Sequence, residues 1–236
     1  MIYKLHLPVK PYPVRTLLVT FEMGDVFFPI SAFRGAVVSK VGRDHPLFHN
    51  HEGDGSSIYR YPLIQYKYFL GKPAIFCIGD GVDEIHHLFL QNRWELDIQG
   101  RKVGMKVDRL DLRTVPVQLN GQLHAYRLNE WQGLNDANYR LYRGCKDSGQ
   151  QQSLLERILR GNLLSFAKGI GWHVDGEIIV AIPERPTVRS KGFKGVSIDV
   201  FEMVFLTNLL LPEGVGLGKA VSQGFGVLER MEPRPV

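Results

Sequence analysis

Histidine is the residue type whose placement in this chain most directly suggests chemistry. The segment Asp44-His45-Pro46-Leu47-Phe48-His49-Asn50-His51-Glu52-Gly53-Asp54-Gly55 carries three of the eight histidines, and Tyr59 and Tyr61 follow it. Imidazole titrates near neutral pH, so it both accepts and donates protons there. Two imidazoles close together can divide that work, one as base and one as acid. The same segment also offers nitrogen and oxygen donors at His45, His49, His51 and Asp54, which would suit a metal ion. The His-x-His-x-Asp-His order of binuclear zinc hydrolases is absent, however. A plain solvated loop is the third reading of the same residues.

A second concentration of unusual residues lies near the C-terminus. Gly216-Leu217-Gly218 and Gly224-Phe225-Gly226 bracket Lys219-Ala220-Val221-Ser222-Gln223, which includes a lysine and no acid. Glycine permits positive φ and close backbone approach. Open N–H groups beside a lysine would suit a phosphate. The phosphate loop of nucleotidases and the dinucleotide fingerprint both lead into a helix. Here a short strand-like tail, Val227-Leu228-Glu229-Arg230, follows instead. The loop therefore reads either as a holder of a phosphate chain on a sheet or as a glycine-rich turn between strands.

Weaker signals lie elsewhere. Arg185-Pro186-Thr187-Val188-Arg189-Ser190-Lys191-Gly192-Phe193-Lys194-Gly195 carries Arg185, Arg189, Lys191 and Lys194 and no acid. Lys191-Gly192-Phe193 and Gly224-Phe225-Gly226-Val227 each match part of the RNA-recognition-motif signature. Tyr139, Arg140, Tyr142 and Arg143 form an aromatic and basic cluster that reads as a helix surface. His86-His87 reads as a surface or half-buried pair.

The elements that must position these residues can be read from periodicity. Leu17–Met23 is apolar enough for a buried strand. Ile30, Phe33, Val37, Val38 and Val41 form a helical stripe, which Gly42 stops. Tyr61–Leu70 reads as a strand, with Ile64, Tyr66, Tyr68 and Leu70 on one face. Gly71-Lys72-Pro73 turns it into Ala74–Ile78. Val82, Ile85, Leu88 and Phe89 mark a second helix. Trp94–Ile98 and Val103–Leu112 read as further strands joined at Gln99-Gly100. The order is β-α-β-β-α-β, a ferredoxin-like arrangement. In the second half, Asn120-Gly121 signals a hairpin between Val115–Leu119 and Leu123–Leu128. Leu154, Leu155, Ile158, Leu159, Leu163, Phe166 and Ala167 mark the longest helix, closed by Gly169 or Gly171. Strands are expected at Val174–Ile182 and Val196–Leu211. The fold class is thus α+β: a ferredoxin-like first half and a second, degraded ferredoxin-like half. The expected division falls at 114/115, giving domains 1–114 and 115–236.

Bulk composition sets limits. The chain has 236 residues, 44% of them hydrophobic, and a net charge of +5. That balance permits a polyanionic partner without requiring one. Cys77 and Cys145 stand far apart, which fits reduced thiols in a cytoplasm. Met1-Ile2-Tyr3-Lys4-Leu5-His6 starts no long apolar core, so no signal peptide is expected. Val200–Leu211 is interrupted by Glu202, Thr207 and Asn208 and is too short to span a bilayer.

These features together resemble one family. The ferredoxin-like first half, the histidines after its first helix, the basic hairpin and the Gly-h-Gly-x5-Gly-h-Gly loop (h, hydrophobic) are similar to the CRISPR-associated endoribonucleases that cut precursor repeat RNA, members of the repeat-associated mysterious protein (RAMP) superfamily. Phe33-Arg34-Gly35, His49-Asn50-His51 and Tyr61-Pro62-Leu63-Ile64-Gln65-Tyr66-Lys67 resemble the subgroup with a His-Asn-His element. The resemblance implies metal-independent cleavage with no cofactor. In it the 2′-hydroxyl attacks the adjacent phosphate and leaves a 2′,3′-cyclic phosphate and a 5′-hydroxyl. His49 and His51 would share the roles of base and acid. Tyr59 would orient the phosphate or a histidine, with Tyr61 as its substitute, and His45 and Lys67 would support. Arg185, Arg189, Lys191, Lys194, Gly216, Gly218, Lys219, Gly224, Phe225 and Gly226 would hold the RNA backbone. The implied partners are CRISPR repeat RNA and crRNA, with an effector complex and a second copy of the chain as further candidates and no membrane. An RNA-binding module without catalysis and a metal-dependent hydrolase are the rival classes.

Overall fold

The computed structural model describes residues 10–24, 27–49 and 60–231. Its elements in chain order are β1 (Tyr12–Glu22), α1 (Ile30–Val41), α2 (Pro46–His49), β2 (Ile64–Phe69), β3 (Lys72–Ile78), α3 (Gly81–Glu84), α4 (His86–Phe89), β4 (Glu95–Ile98), β5 (Arg101–Gly104), β6 (Lys106–Trp131), α5 (Asp136–Gly144), α6 (Ser148–Gly169), β7 (Val180–Ala181), β8 (Thr187–Phe193), β9 (Val196–Leu210) and β10 (Val227–Arg230). An eight-stranded sheet follows the path β2-β3-β1-β6-β9-β7, with β10 on β6 and β8 on β9, while β4 and β5 form a separate hairpin. Neighbouring strands are antiparallel throughout.

The sheet contains the ferredoxin-like order twice. In the first half the path β2-β3-β1-β6 is the split βαβ arrangement, with α1 and the α3–α4 turns as crossovers. Phe33, Ala36, Val37 and Val41 bury the expected stripe of α1, and Gly42 ends it at φ 101 by donating its N–H to the Val38 carbonyl. In the second half the order is β10-β6-β9, with β7 and β8 beyond, and α5–α6 form the first crossover. Asp147 caps α6 by accepting from the Gln150 N–H at 2.8 Å. The second crossover helix is missing. Between β9 and β10 the chain makes only a three-residue 3₁₀ turn, Val221–Gln223, inside the glycine loop.

Several local expectations are corrected. Asn120-Gly121 makes no hairpin and lies within the 26-residue strand β6. The segment before it pairs with β1 (Val14 with Val115, Tyr12 with Val117), and the segment after it pairs with β9. These long-range ladders outweigh the local turn preference. The signal survives as a bulge: β6 advances from Leu119 to His124 while β9 moves only from Leu209 to Thr207. The Asn120 side chain accepts from Gln122 N and His124 Nε2 inside that bulge. Leu70 leaves the strand face and sits exposed in the turn at φ 49. The second helix is two four-residue helices rather than one. Val103–Leu112 divides between β5 and β6, and Val174–Ile182 contributes only β7. Both halves share β6, and positions 114 and 115 lie within it.

The glycine loop closes tightly on itself. Leu217 N–H donates to the Gly226 carbonyl at 2.9 Å. A Cβ added at Gly226, where φ is +65, would stand 1.9 Å from the Leu217 carbonyl oxygen. At Gly121 an added Cβ meets nothing within 4 Å. Gly226→Ala should therefore cost more than about 2 kcal/mol, of which roughly 1–2 kcal/mol comes from the left-handed backbone alone. Gly121→Ala should stay within about 0.5 kcal/mol of the parent. Urea unfolding of both variants checks this, and equal midpoints would refute the assignment of the loop.

Candidate nucleic-acid interface and histidine loop

The segment from Tyr61 to Lys67 and the glycine loop complete one another. Strand alternation puts Gln65 and Lys67 on one face of β2 and Ile64 and Tyr66 on the other. Gln65 is fully buried and its amide is fully used. Its Oε1 accepts from Gly216 N–H at 3.0 Å and from Lys67 Nζ at 3.1 Å. Its Nε2 donates to Tyr61 Oη at 2.8 Å and to the Pro62 carbonyl at 3.1 Å. Tyr61 then donates to the Gly216 carbonyl at 2.7 Å. Burial pushes the Tyr61 phenol far up, which keeps it a donor. Lys67 also donates to the Gly214 carbonyl and lies 4.8 Å from the centre of the Phe76 ring.

Many amides of the glycine loop are already engaged inside the protein. The N–H groups of Gly216, Leu217, Lys219, Gln223, Gly224 and Gly226 all donate within the protein. Gly218, at φ +97, packs against Trp131 and Gln132, and Gly224 against the Tyr66 carbonyl. The glycines allow backbone to meet backbone inside the fold. What the loop turns outward is the exposed Lys219 side chain.

A cleft of about 700 Å³ lies beside the loop. One wall is the N-terminus of α1, with Phe27, Pro29 and Ser31; the other is the β8–β9 hairpin, with Lys191, Phe193 and Lys194. Phe225 joins the walls, its ring 5.0 Å from that of Phe193 and its face 5.0 Å from Lys191 Nζ. Phe27 is 86% exposed and stacks on Tyr68 with 8° between the rings. The first turn of α1 holds no acid and Pro29 gives no side-chain cap, so the positive helix end faces the cleft. The basic segment is not uncompensated: Lys191 pairs with Glu130 at 2.6 Å, and Arg189 with Glu202 at 3.0 Å. Arg185 and Lys194 are exposed.

The histidine loop begins beside α1, which contacts it through Arg34. His49 closes α2, is buried, and has Nε2 2.9 Å from the Arg43 carbonyl oxygen. Arg34 Nη2 donates to the His49 carbonyl at 2.6 Å, and Tyr66 Oη donates to the Phe48 carbonyl at 3.2 Å. Burial lowers the Arg34 pKa from its ordinary value. His45 turns away from His49; its ring packs 3.7 Å from that of His87, and its Nδ1 lies 3.9 Å from Glu84. Burial lowers the His87 pKa, and His45 and His86 add to the shift. His51, Asp54 and Tyr59 lie outside the described residues. The donor set His45, His49, His51 and Asp54 is thus described only at His45 and His49, which face different partners.

Sequence reasoning placed the glycine loop, the hairpin and α1 but missed how they join. Gln65 was passed over within its motif, although a buried glutamine between Tyr61 and Lys67 is the polar centre of the contact. Arg34 gave a signal only as part of Phe33-Arg34-Gly35. Phe27, exposed and stacked on the half-buried Tyr68, lies between the first strand and the α1 stripe, where no periodicity marks it.

The doubled ferredoxin-like order with a glycine loop in place of the last helix is the architecture of a RAMP protein. Residues 13–116 match the Cas6b N-terminal domain and residues 118–231 match the Cas6b C-terminal domain, so the chain belongs to the Cas6b family of Cas6-type RAMP proteins. The uncharacterized protein MJ0978 of Methanocaldococcus jannaschii is 34% identical over 105 residues, 44% of this chain and 70% of that protein. The fold is similar to a crystal structure of Cas6b at a TM-score of 0.78, with 24% identity over 93% of this chain and 100% of that one. It is also similar to a crystal structure titled CRISPR RNA processing endoribonuclease Cas6b, at a TM-score of 0.69 with 21% identity and the same coverage. No helix among the described residues is long and apolar enough to cross a membrane.

The buried Lys67 gives a pH signature. Burial pushes its ammonium down to about 7 from an ordinary 10.5. Between those values the unfolded chain holds a proton that the folded chain has released, so stability rises with pH across that window. Urea midpoints of the parent should climb from about pH 7 to about pH 10 relative to those of Lys67→Met. Parallel profiles would show that the lysine keeps its ordinary pKa.

Proposed function

We propose that the chain is an endoribonuclease that cuts CRISPR repeat RNA in precursor transcripts without a metal, through attack of the 2′-hydroxyl on the adjacent phosphate. The observation that carries this reading is that α1 joins the two halves of a nuclease site. Its N-terminus, at Ile30 and Ser31, lines the basic and aromatic cleft, and Arg34 in its second turn holds the His49 carbonyl. Ile30 and Arg34 are about 6 Å apart along the helix axis. RNA backbone in the cleft would therefore pass within reach of the loop that leaves His49.

In this reading an unstacked base packs on Phe27, and phosphates lie near Lys194, Lys219 and the positive end of α1. His49 and His51 serve as base and acid, and Tyr59 orients the phosphate. The Arg43 carbonyl, facing His49 Nε2, would leave the Nδ1 side of the ring for proton transfer. Gly216, Gly218, Gly224 and Gly226 act by shaping the cleft wall, and Lys67 and Tyr61 by holding that wall. The division at 114/115 separates a histidine-loop unit from a unit bearing the hairpin and glycine loop. A binding module without catalysis is the second reading, favoured by the burial of His49.

Labelled repeat RNA incubated with excess chelator tests the proposal. Cutting should persist and should vanish when hydrogen replaces the 2′-hydroxyl at the scissile nucleotide. His49→Ala and His51→Ala should each slow cutting by about 10²–10⁴-fold with little loss of binding. The double variant should be scarcely worse than the poorer single one, because the pair acts as a unit. Binding without any cutting would establish the module instead, and cutting of the deoxy substrate would sink the mechanism.

Binding has its own signature. Lys194→Ala and Lys219→Ala should each lower the slope of log affinity against log salt by roughly 0.7 for single-stranded RNA. Lys191→Ala should change it less, because Glu130 already offsets that charge. A larger effect at Lys191 would mean that the RNA displaces Glu130.

A further inference from the structure

The cluster formed by His45, Glu84 and His87 is used by nothing described so far. Glu84 Oε2 lies 3.9 Å from His45 Nδ1 and 3.8 Å from His87 Nε2. All three donor atoms lie within 4.8 Å of one another. The two nitrogen–oxygen distances are too long for hydrogen bonds. A tetrahedral ion with bonds of about 2.0–2.1 Å spaces its donors roughly 3.4 Å apart. Those two edges would each need to close by about half an ångström, and the His45 and His87 rings, stacked at 3.7 Å between centroids, would need to swing apart to aim at one ion. We propose that His45, Glu84 and His87 bind one divalent transition-metal ion, zinc foremost, which clasps the start of the histidine loop to the α3–α4 turns.

The donor set suits that ion class. Two imidazoles and one carboxylate are borderline donors of the kind zinc takes, and three protein ligands leave a fourth position for water. The backbone on both sides of the cluster is anchored by packing. Phe48, three residues after His45, is buried, and so are Ile85 and Leu88 on either side of His86 and His87. His87 is held between two rings, with His45 at 3.7 Å and His86 at 3.9 Å between centroids. His86 Nδ1 lies 2.5 Å from the Asp83 carbonyl oxygen, which fixes the outer ring of that stack. Glu84 and His87 are one helical turn apart on the same side. The side chains are half-buried, open enough for an ion to enter and covered enough to hold it.

The ion would do no chemistry on RNA in this proposal. It would fix where the segment carrying His49 begins, because His45 immediately precedes α2. The site is separate from the set His45, His49, His51 and Asp54, with which it shares one ligand.

Metal content tests this independently of nuclease activity. Full-length protein is stripped with chelator and titrated with zinc, and with cobalt as a spectroscopic probe. One equivalent of zinc should bind with micromolar or tighter affinity, and cobalt should give a visible tetrahedral d–d band. Glu84→Gln and His87→Gln should each weaken binding by more than the roughly 10–100-fold typical of losing a group that only orients a ligand. Zinc should raise the unfolding temperature of the parent and not of these variants, whose metal-free unfolding temperatures should match the parent's. His49→Ala should keep its zinc. No binding by the parent at micromolar zinc, full binding by Glu84→Gln or His87→Gln, or loss of zinc in His49→Ala would each overturn the proposal.

Discussion

The structure depends on one buried polar contact, in which Tyr61, Gln65 and Lys67 meet the peptide groups of Gly214 and Gly216. An ammonium buried this deeply is costly unless acceptors surround it. Here the acceptors are the Gln65 side chain and a carbonyl at the edge of the glycine loop. The amide of Gln65 in turn fixes the first Gly-x-Gly of the loop. Each group satisfies another, and removing any member would leave a buried partner stranded. The contact joins β2, at the edge of the first half of the sheet, to the loop that precedes β10 in the second half. The cleft between the α1 end and the hairpin therefore inherits its shape from it.

That arrangement explains what could be read from the sequence and what could not. The stripes of α1 and α6 were legible because helical spacing is local. Leu154, Leu155, Leu159, Leu163, Phe166 and Ala167 are all buried as their spacing implied. The strand order of the first half followed for the same reason. Asn120-Gly121 misled because its partners are remote: β1 and β9 claim the flanking residues, and the local turn chemistry shrinks to a bulge. The glycine spacing was visible, but its purpose was not. The residue that binds Gly216 lies 151 positions earlier in the chain. No pattern within the loop could reveal that the Gly216 amide is already taken.

The candidate site shows the same division. The basic hairpin was legible as a run of charge, yet Glu130 and Glu202 come from other strands and offset two of its cations. Exposed pairs of this kind contribute little stability, so their main effect is on the field that a polyanion meets. The exposed cations of the segment and the loop that no described ion pair offsets are Arg185, Lys194 and Lys219. The histidines were legible as a cluster, but the fold divides it. His45 goes to the α3–α4 turns and His49 to the floor beneath α1.

The strand shared by both halves has a consequence for synthesis. β1, β2 and β3 come early in the chain, and the order β2-β3-β1 is completed only when the first part of β6 pairs with β1. During translation that edge can close once the residues around Val117 have left the ribosome. The remainder of β6 continues from that part of the sheet and carries the edge to which β9 and β10 pair. The later strands β9 and β10 need only add to it, so the long-range pairings of the second half start from an ordered edge instead of a free coil. The shared strand thus lets the first half of the sheet serve as a scaffold for the second.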